Sequence, residues 1–363
     1  MMTKPSTTPG DITIITAADV RTILSDLDPE IALESQRQAF LALASQSTKS
    51  SNAVPSVQSP QRTTLDSNHM TSLFMPSRVA DAGGMACKIV SVPKDGGVGG
   101  LPATTLLIDD VSGRVKAVIN ARRLTALRNA CGSALFLRSI PPTRPPANLL
   151  IFGSGAQAEA HANIILRLFP SLTSCTIVVR KSTSRASDLL AELKTTFPKI
   201  TFILGVSAFQ NALSNETSPA LFNLSQAVHN ANIILTMTPS TTALFNSVDV
   251  TSGTHLALIG SYTPSMREVD DDLIRRAGYV VVDTRHGCAQ EAGELISAGV
   301  GGEGMIELKD VLVDPKWGDK IRARGDVVIF KSIGLSIQDT AIADLLSREA
   351  KQRDLGTVVP HYD

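Results

Sequence analysis

The stretch from Asn148 to Pro170 constrains the fold of this chain more than any other, because it joins a short apolar run, a glycine turn and an amphipathic segment. Leu149 to Phe152 is continuous and apolar, as strands covered on both faces of a sheet tend to be. After the turn, apolar residues recur every three to four positions, which predicts a helix. Strand, glycine turn and helix in this order are typical of a dinucleotide-binding unit with a parallel sheet.

The turn itself, Gly153-Ser154-Gly155-Ala156-Gln157-Ala158, has residue types that suit a pyrophosphate. Amides at a helix start bind phosphate only where the backbone approaches it without side chains in the way. Gly153 permits the turn, Gly155 permits the approach and Ala158 keeps the helix close to its strand. A GxGxxA pattern alone is weak, and an ordinary strand-to-helix turn is the alternative. The flanking strand and helix, and a Pro-rich segment at 141–146 that resembles a linker, favour nucleotide binding.

The end of the next strand candidate, Cys175 to Val179, indicates which dinucleotide binds. An NAD site usually places an acidic residue there, about 20 residues beyond the glycines. This chain has Arg180, Lys181 and Ser182 instead, and cations with hydroxyl groups suit a 2′-phosphate. We therefore predict NADP(H) in preference to NAD(H), with a solvated basic loop as the alternative.

Composition narrows the class of protein. At 363 residues the chain is long enough for two domains. Charged residues make up 19%, below the roughly 25% of an average soluble protein, which favours an oligomer. The formal charge of zero gives no general attraction to nucleic acid or membranes, and no apolar run has the length of a membrane span. Four distant cysteines without CxxC and scattered histidines predict buried thiols, no metal site and a cytoplasmic protein.

The rest of the chain predicts two kinds of sheet. Closely spaced strand candidates between Ala53 and Ile119 predict an antiparallel sheet, with a hairpin through Asp109 to Gly113. From the glycine turn to about Phe330, strand and helix candidates alternate, which is the pattern of a parallel sheet.

Three cations lie in or near apolar sequence. Lys88 stands inside a strand candidate, Arg128 on the helix candidate before the Pro-rich segment, and Arg62 in the preceding strand region. A buried lysine is costly unless an anion meets it; a wet face or a sheet edge are the alternatives. Each arginine alone is more often a surface residue. Converging on one pocket, the three cations would form a carboxylate clamp, since a guanidinium recognises a carboxylate by shape as well as charge.

Five motifs occur in an order that resembles the ornithine cyclodeaminase and mu-crystallin family, over residues 54–346. They are Gly100-Leu101-Pro102, Leu124-Thr125-Ala126-Leu127-Arg128, the glycine turn, Thr236-Met237-Thr238-Pro239-Ser240 and Phe330-Lys331-Ser332-Ile333-Gly334-Leu335-Ser336-Ile337-Gln338-Asp339. The resemblance implies an NAD(P)-dependent homodimer with an α/β fold. A Rossmann-type parallel sheet domain would cover residues 131–320, and an α+β substrate-binding and dimerisation domain would combine 1–130 with the C-terminal helix in 321–363.

Carried over position by position, the resemblance also implies site residues. Arg62, Lys88 and Arg128 would bind the substrate carboxylate. The pyrophosphate would lie at Gly153 to Gln157 and the 2′-phosphate near Arg180. Thr238, Pro239 and Ser240 would lie along the nicotinamide, with Ser332, Gly334 and Leu335 closing over the ring; plain strand-ending turns are the alternative for both segments. His69 matches a histidine position of mu-crystallin and is a candidate proton donor, with a surface loop histidine as the alternative.

Two departures from the family pattern bear on the reaction. Cyclodeaminases carry a glutamate where this chain has Leu73, and an aspartate where it has Tyr262. Cyclodeamination needs a base to deprotonate an amine, and both carboxylates are absent.

We therefore predict an NADPH-dependent reductase of a carboxylate-bearing imine, such as a ketimine or cyclic imino acid, or the reverse oxidation of an amino acid. Three alternatives stay open: ornithine cyclodeaminase, converting ornithine to proline and ammonia; an opine-like N-alkyl amino acid dehydrogenase; and a non-catalytic NADP-binding protein of the crystallin kind. We expect a small amino or imino acid as the substrate, and no nucleic acid or membrane partner.

Overall fold

The structure is a computed structural model and describes residues 10–45, 54–94, 101–207 and 222–363. The chain divides into two compact units. The first combines Met1–Arg128 with Leu335–Asp363, and the second is Asn129–Gly334.

Sixteen strands and twelve α-helices are formed by the described residues. The strands are β1 (Ile12–Ile15), β2 (Val57–Gln58), β3 (Thr63–Asp66), β4 (Met70–Val79), β5 (Gly84–Pro93), β6 (Ala103–Ile108), β7 (Val115–Asn120), β8 (Asn148–Phe152), β9 (Ser174–Val179), β10 (Thr201–Val206), β11 (Ile233–Thr236), β12 (His255–Leu258), β13 (Val280–Val282), β14 (Met305–Glu307), β15 (Val328–Lys331) and β16 (Thr357–Val359). The helices are α1 (Ala17–Asp26), α2 (Pro29–Ser45), α3 (Leu124–Ser139), α4 (Ala156–Leu168), α5 (Ser184–Thr196), α6 (Leu224–Asn230), α7 (Asp271–Arg276), α8 (Arg285–Glu291), α9 (Gly293–Ser297), α10 (Leu308–Val313), α11 (Lys316–Arg324) and α12 (Ser336–Gln352).

The first unit contains the predicted antiparallel sheet. Its strands lie in the order β16, β1, β7, β6, β5, β4, β2, with β3 paired to β4. The hairpin through Asp109 to Gly113 joins β6 and β7 as predicted. Two features differ from the prediction: β1 pairs with β7 in parallel, and β16, which was not predicted, pairs with β1. Both pairings join segments far apart in the chain, which local periodicity does not reveal.

One face of this sheet packs into the core of the first unit. Directly opposed residues share a face, so Met75, Lys88, Thr105 and Ile119 form one buried row across β4, β5, β6 and β7. Helix α12 packs against β4 and β5. Lys88 therefore belongs to the buried face, not to a wet face or a sheet edge.

The second unit contains the predicted parallel sheet. Its strands lie in the order β10, β9, β8, β11, β12, β15, β13, β14, and every pairing is parallel. Strand β8 is central and its residues from Leu149 to Phe152 are buried, which explains why that run is continuously apolar.

The unit boundaries differ from those predicted. The second boundary falls after Gly334 rather than at 320–321, because β15 is inserted between β12 and β13 of the parallel sheet. The first falls between Arg128 and Asn129, inside α3, so the Pro-rich segment at 141–146 belongs to the second unit and does not separate the units. No helix in the described part of the chain is long and apolar enough to cross a membrane.

Candidate functional site

The glycine turn joins β8 to α4 with the geometry that its residues predict. Gly153 has φ of +114°, which favours glycine, and its N–H donates to Val178 O at 2.9 Å. Gly155 is the N-cap residue of α4, and no side chain caps the helix there. Ala158 is fully buried, so α4 lies close to the sheet at this point. The first amides of α4 are therefore left to bind a group outside the helix.

Space and polar atoms at this turn fit a dinucleotide. A Cβ atom built on Gly155 has no atom within 4 Å, so the backbone faces open space. Gln157 Oε1 is buried and has no hydrogen-bond partner among the described residues. A bound dinucleotide would fit these features. Its pyrophosphate would lie against the open glycine backbone and the uncapped helix start, and its ribose would meet the unpartnered amide oxygen.

Glu268 fixes the loops that follow β11 and β12. One carboxylate oxygen accepts from the Thr238 N–H at 2.6 Å, and the other accepts from the Gly260 N–H at 2.7 Å. The hydroxyl of Thr236 also donates to Glu268, at 2.7 Å. Gly260 has to be glycine, because a Cβ there would lie 2.2 Å from the backbone of Thr238. Burial raises the pKa of Glu268, while hydrogen bonds from the backbone favour its charged form.

Asp283 fixes the segment after β15 in the same way, by accepting hydrogen bonds from it. Its Oδ2 accepts from the Ser332 hydroxyl at 2.8 Å and from the N–H groups of Ile333 and Gly334 at 3.0 and 2.6 Å. Gly334 has φ of +87°. Ser332 and Gly334, both predicted to lie near the nicotinamide, are therefore held by one buried carboxylate.

The remaining predicted cofactor residues differ in exposure. Arg180, Lys181 and Ser182 follow β9, the neighbour of β8, and are exposed. Pro239 is exposed, and the half-buried Ser240 donates its hydroxyl to Thr242 O. Leu335 belongs to the first unit, where its side chain packs beside a cluster that includes Ile337.

In the first unit, the two predicted cations Lys88 and Arg128 meet at Asp339. Lys88 Nζ lies 2.8 Å from Asp339 Oδ2, and Arg128 Nε lies 3.2 Å from Asp339 Oδ1. The three side chains are at most 4% exposed. Gln338 supports Arg128, since Arg128 Nη1 donates to Gln338 Oε1 at 3.0 Å and Gln338 Nε2 donates to Arg128 O at 3.1 Å.

The charge state of Lys88 follows from this setting. Burial lowers its pKa to about 8, the negative charge of Asp339 opposes the change, and the positive charges of Arg128 and Arg62 add to it. Arg62, half-buried ahead of β3, is thus close enough to influence Lys88. Lys88 has three N–H donors, and its ammonium group forms an ion pair with Asp339. The structure therefore places Lys88 and Arg128 together at Asp339, and Arg62 lies near enough for its charge to act on Lys88.

His69 does not join this cluster. It is exposed in the turn before β4, and its amide donates to Ser67 Oγ at 3.3 Å. Its neighbour Met70 starts β4, five residues before Met75, the partner of Lys88. At about 3.3 Å per residue, His69 lies roughly 20 Å along the strand from Lys88. Its role as a proton donor stays a prediction.

The two departures from the cyclodeaminase pattern lie in different units. Leu73 pairs with Val90 and lies on the same sheet face as Lys88, one pair further along. Tyr262 follows Ser261 in the loop after β12 and is half-buried. Gly100, in the first quoted motif, lies outside the described residues. Within those residues, no group of three or more His, Cys, Asp or Glu is placed to hold a metal ion.

Asp339, Gln338, Glu268 and Asp283 are polar residues that sequence reasoning did not assign to a site. Each is at most 2% exposed. Asp339 and Gln338 end the last quoted motif, but their residue types did not mark them as partners of Lys88 and Arg128. Glu268 and Asp283 carried no sequence signal, because their partners are backbone amides and hydroxyl groups.

The fold and the glycine turn together define a two-unit α/β protein with a Rossmann-type nucleotide-binding unit. The chain belongs to the ornithine cyclodeaminase/mu-crystallin family, whose model matches residues 26–201 and 204–354.

Several curated relatives are similar to this chain over most of its length. An uncharacterized cyclodeaminase of Dictyostelium discoideum is 28% identical over 78% of this chain and 80% of its own. A Delta(1)-pyrroline-2-carboxylate reductase of Bacillus cereus is 25% identical over 88% of this chain and 93% of its own. The ketimine reductase mu-crystallin of Mus musculus is 26% identical over 67% of this chain and 68% of its own.

Solved structures share the fold. Delta(1)-pyrroline-2-carboxylate reductase of Thermococcus litoralis, in complex with NADH and L-proline, has a TM-score of 0.78 at 20% identity, covering 95% of this chain and 99% of its own. An archaeal alanine dehydrogenase dimer with bound NAD has a TM-score of 0.77 at 19% identity, covering 96% of this chain and 99% of its own.

Proposed function

We propose that this protein is an NADPH-dependent reductase of a small imine that carries a carboxylate, or catalyses the reverse oxidation of an amino acid. The observation that carries the proposal is the pair Lys88 and Arg128, buried together with one anion, Asp339. Two buried cations beside one carboxylate leave a positive charge that a ligand carboxylate would neutralise. Arg62 adds to that charge.

The residues of the glycine turn would hold the cofactor. The amides at the start of α4 would bind the pyrophosphate, with Gly155 giving the close approach, and Gln157 Oε1 would accept from a ribose hydroxyl. Arg180, Lys181 and Ser182 would bind a 2′-phosphate, and this basic exposed segment favours NADPH over NADH. Thr238, Pro239 and Ser240, with Ser332, Gly334 and Leu335, would border the nicotinamide.

When bound, the reduced nicotinamide supplies a hydride to the imine carbon. The chain's own residues bind and orient the substrate: Lys88, Arg128 and Arg62 hold its carboxylate. The C=N bond becomes a C–N single bond, its electron pair goes to nitrogen, and an imine that is already protonated needs no further proton. A strong base is therefore unnecessary in this direction, which suits Leu73 and Tyr262 at the positions of the cyclodeaminase carboxylates.

The names of the relatives support a reductase and keep a second reaction open. Two are reductases of pyrroline-2-carboxylate or ketimines, and one is an uncharacterized cyclodeaminase. The apolar Leu73 beside Lys88 disfavours ornithine cyclodeaminase, because a second, positively charged amine near it would lack a carboxylate partner.

We further propose that the first unit binds the substrate and forms a homodimer. On the sheet face opposite Lys88, the apolar residues Cys87, Ile89, Leu106 and Val118 are only half-buried by the described part of the chain. A partly exposed apolar sheet face suits a second copy of the chain. A dimeric structural neighbour supports the same assembly. Light scattering of the purified chain tests it, and a monomer at micromolar concentration would contradict it.

A cytoplasmic location is part of the proposal. The four cysteines are free, and three of them are buried. Burial raises the pKa of Cys131 to about 12, which keeps that thiol unreactive. Fractionation of cells that express the chain tests this location.

The deciding experiment mixes the protein with NADPH and a panel of imines: pyrroline-2-carboxylate, piperideine-2-carboxylate and open-chain ketimines of 2-oxo acids. Oxidation of NADPH with formation of the amino acid is the expected result, faster than with NADH. An imine without a carboxylate is the control. Proline and ammonia from ornithine would instead establish the cyclodeaminase, and a requirement for an amine plus a 2-oxo acid the opine-like enzyme. Cofactor binding without turnover of any substrate would indicate the non-catalytic protein.

A further inference from the structure

Asp339 lies between the two buried cations of the first unit and contacts each with a different oxygen. Oδ2 faces Lys88 at 2.8 Å and Oδ1 faces Arg128 at 3.2 Å. We propose that Asp339 is a positioning residue that holds Lys88 and Arg128 at a fixed spacing, so that both act on one substrate carboxylate. This inference rests on the proposed function and adds a residue to which that function assigns no role.

The reason is electrostatic. The positive charges of Lys88 and Arg128 are almost fully buried, so they repel each other strongly in a medium of low dielectric. A single carboxylate between them offsets this repulsion. Because each cation uses a separate oxygen of Asp339, neither displaces the other. A lysine ammonium has three donors, so Lys88 can contact Asp339 and a ligand carboxylate at the same time.

The adjacent residue of α12 completes the arrangement. Gln338 accepts from Arg128 Nη1 and donates back to the Arg128 carbonyl. Asp339 and Gln338 stand next to each other in the first turn of α12, so one rigid helical turn sets the position of both cations.

Asp339 is also the anion that keeps Lys88 charged. The charged groups that act on Lys88 are Asp339 from α12, Arg128 from α3 and Arg62 from the segment before β3. The neighbouring strands contribute the uncharged Met75 from β4 and Thr105 from β6. Without Asp339, burial and two arginines would all lower the pKa of Lys88 further below about 8.

The test measures L-proline binding by calorimetry to the protein saturated with NADH, from about pH 6.5 to about 9.5. NADH and L-proline do not react with each other, and both are bound in the solved structure of the Thermococcus litoralis reductase. In the native chain we expect the affinity to fall with a midpoint near pH 8. In Asp339→Asn the midpoint should move down by about one pH unit or more. Asp344→Asn, the same change on α12 at a residue that pairs with Arg348, should leave the midpoint unchanged.

A second measurement separates this inference from the proposed function. Titration of Lys88 by NMR in the ligand-free protein reports the same midpoint without a substrate. If L-proline fails to bind the native chain, the proposed function is wrong, and the NMR midpoint of Asp339→Asn still decides the role of Asp339. A native midpoint and native affinity in Asp339→Asn would overturn the inference.

The variant Asp339→Glu tests the role of Asp339 if Asp339→Asn does not fold. This variant keeps the charge, so the midpoint should stay near pH 8. The longer side chain displaces both cations, so L-proline affinity should fall at least about fivefold. Unchanged affinity in Asp339→Glu would show that the spacing is not set by Asp339.

Discussion

Lys331 and Glu294 form an ion pair of 3.0 Å in the second unit, and neither side chain is exposed. Ser261 joins them, because its hydroxyl donates to Glu294 and its hydroxyl and carbonyl oxygens each accept from Lys331 Nζ at 2.6 Å. The pair connects the end of β15 to α9, and Ser261 joins the loop after β12 to both. Replacing both charges of a buried ion pair by apolar residues changes protein stability little. Removing only one of them destabilises the protein strongly, because the other charge stays buried without a partner.

Glu294→Gln should lower the free energy of unfolding by about 3–5 kcal/mol, because it leaves the Lys331 ammonium buried without its anion. Urea unfolding measures the change, and the exposed Glu303→Gln is the control. The double variant Lys331→Met/Glu294→Leu should regain most of the loss. A double variant as unstable as the single one would contradict this account.

Lys88→Met should weaken L-proline binding by about tenfold or more, because a charge-assisted contact contributes about 1.5–3 kcal/mol. Asp339 keeps Arg128 as a partner in this variant, so the chain should still fold. Calorimetry with NADH present provides the affinity. Lys94→Met, an exposed lysine paired with Asp66, is the matched control. Native affinity and turnover in Lys88→Met would rule out the carboxylate clamp.

Gly155→Ala should separate cofactor binding from folding. The added Cβ meets no protein atom and the backbone has φ of −87°, so the melting temperature should hardly change. The methyl group fills space that the pyrophosphate would use, so NADPH affinity should fall by about tenfold, or about 1.4 kcal/mol. Fluorescence titration with NADPH measures this. Gly302→Ala, equally free of neighbours, should bind NADPH normally.

Arg180→Ala should reduce the preference for NADPH. A guanidinium that pairs with a 2′-phosphate strengthens NADPH binding alone, so NADPH affinity should fall about tenfold while NADH affinity stays constant. Lys194→Ala removes an exposed cation from the last turn of α5 and serves as the control. An equal effect of Arg180→Ala on both cofactors would place the 2′-phosphate elsewhere.

Acid should destabilise the second unit through two buried histidines. Burial lowers the pKa of His161 and of His255 to about 4, from an ordinary value of 6.5. Between these values the unfolded chain binds protons that the folded chain does not, so stability falls as pH falls from 6.5 towards 4. Between pH 6.5 and pH 5 we expect a loss of about 2 kcal/mol for each histidine.

Denaturant unfolding at several pH values measures this slope. His161→Gln should flatten it, while the exposed His229→Gln should leave it unchanged. A slope that His161→Gln does not alter would mean that His161 is protonated in the folded state. His161 lies between Ser133 Oγ and Gln157 O, and it needs no charge to satisfy both ring nitrogens.

The parallel sheet and the glycine turn could be predicted from the sequence because their signals are local. Gly153 and Gly155 lie within a few residues of the strand and helix that they join, and the buried strand β8 is apolar at four successive positions. The parallel pairing of β1 with β7, and the strand β16, depend on segments at opposite ends of the first unit. The compact units divide after Gly334 and not at 320–321 for the same reason, since β15 enters the parallel sheet out of chain order.

The candidate site likewise contains residues that the sequence could reveal and residues that it could not. Lys88 could be noticed because a charge within an apolar strand is anomalous wherever its partner lies. Asp339 and Glu268 could not, because an acidic residue in a helix or loop is ordinary until its neighbours are known. Lys88 and Asp339 are separated by the whole second unit in the chain, and only the fold brings them within 2.8 Å.

That separation has a consequence for biosynthesis. The ribosome completes residues 129–334 before it makes α12 and β16, which the first unit needs to cover β5 and to pair with β1. The nascent amino-terminal sheet therefore emerges with Lys88 lacking its counterion, and it must wait through the synthesis of the later unit before it can close. The segment that is translated first is therefore the last to complete its fold.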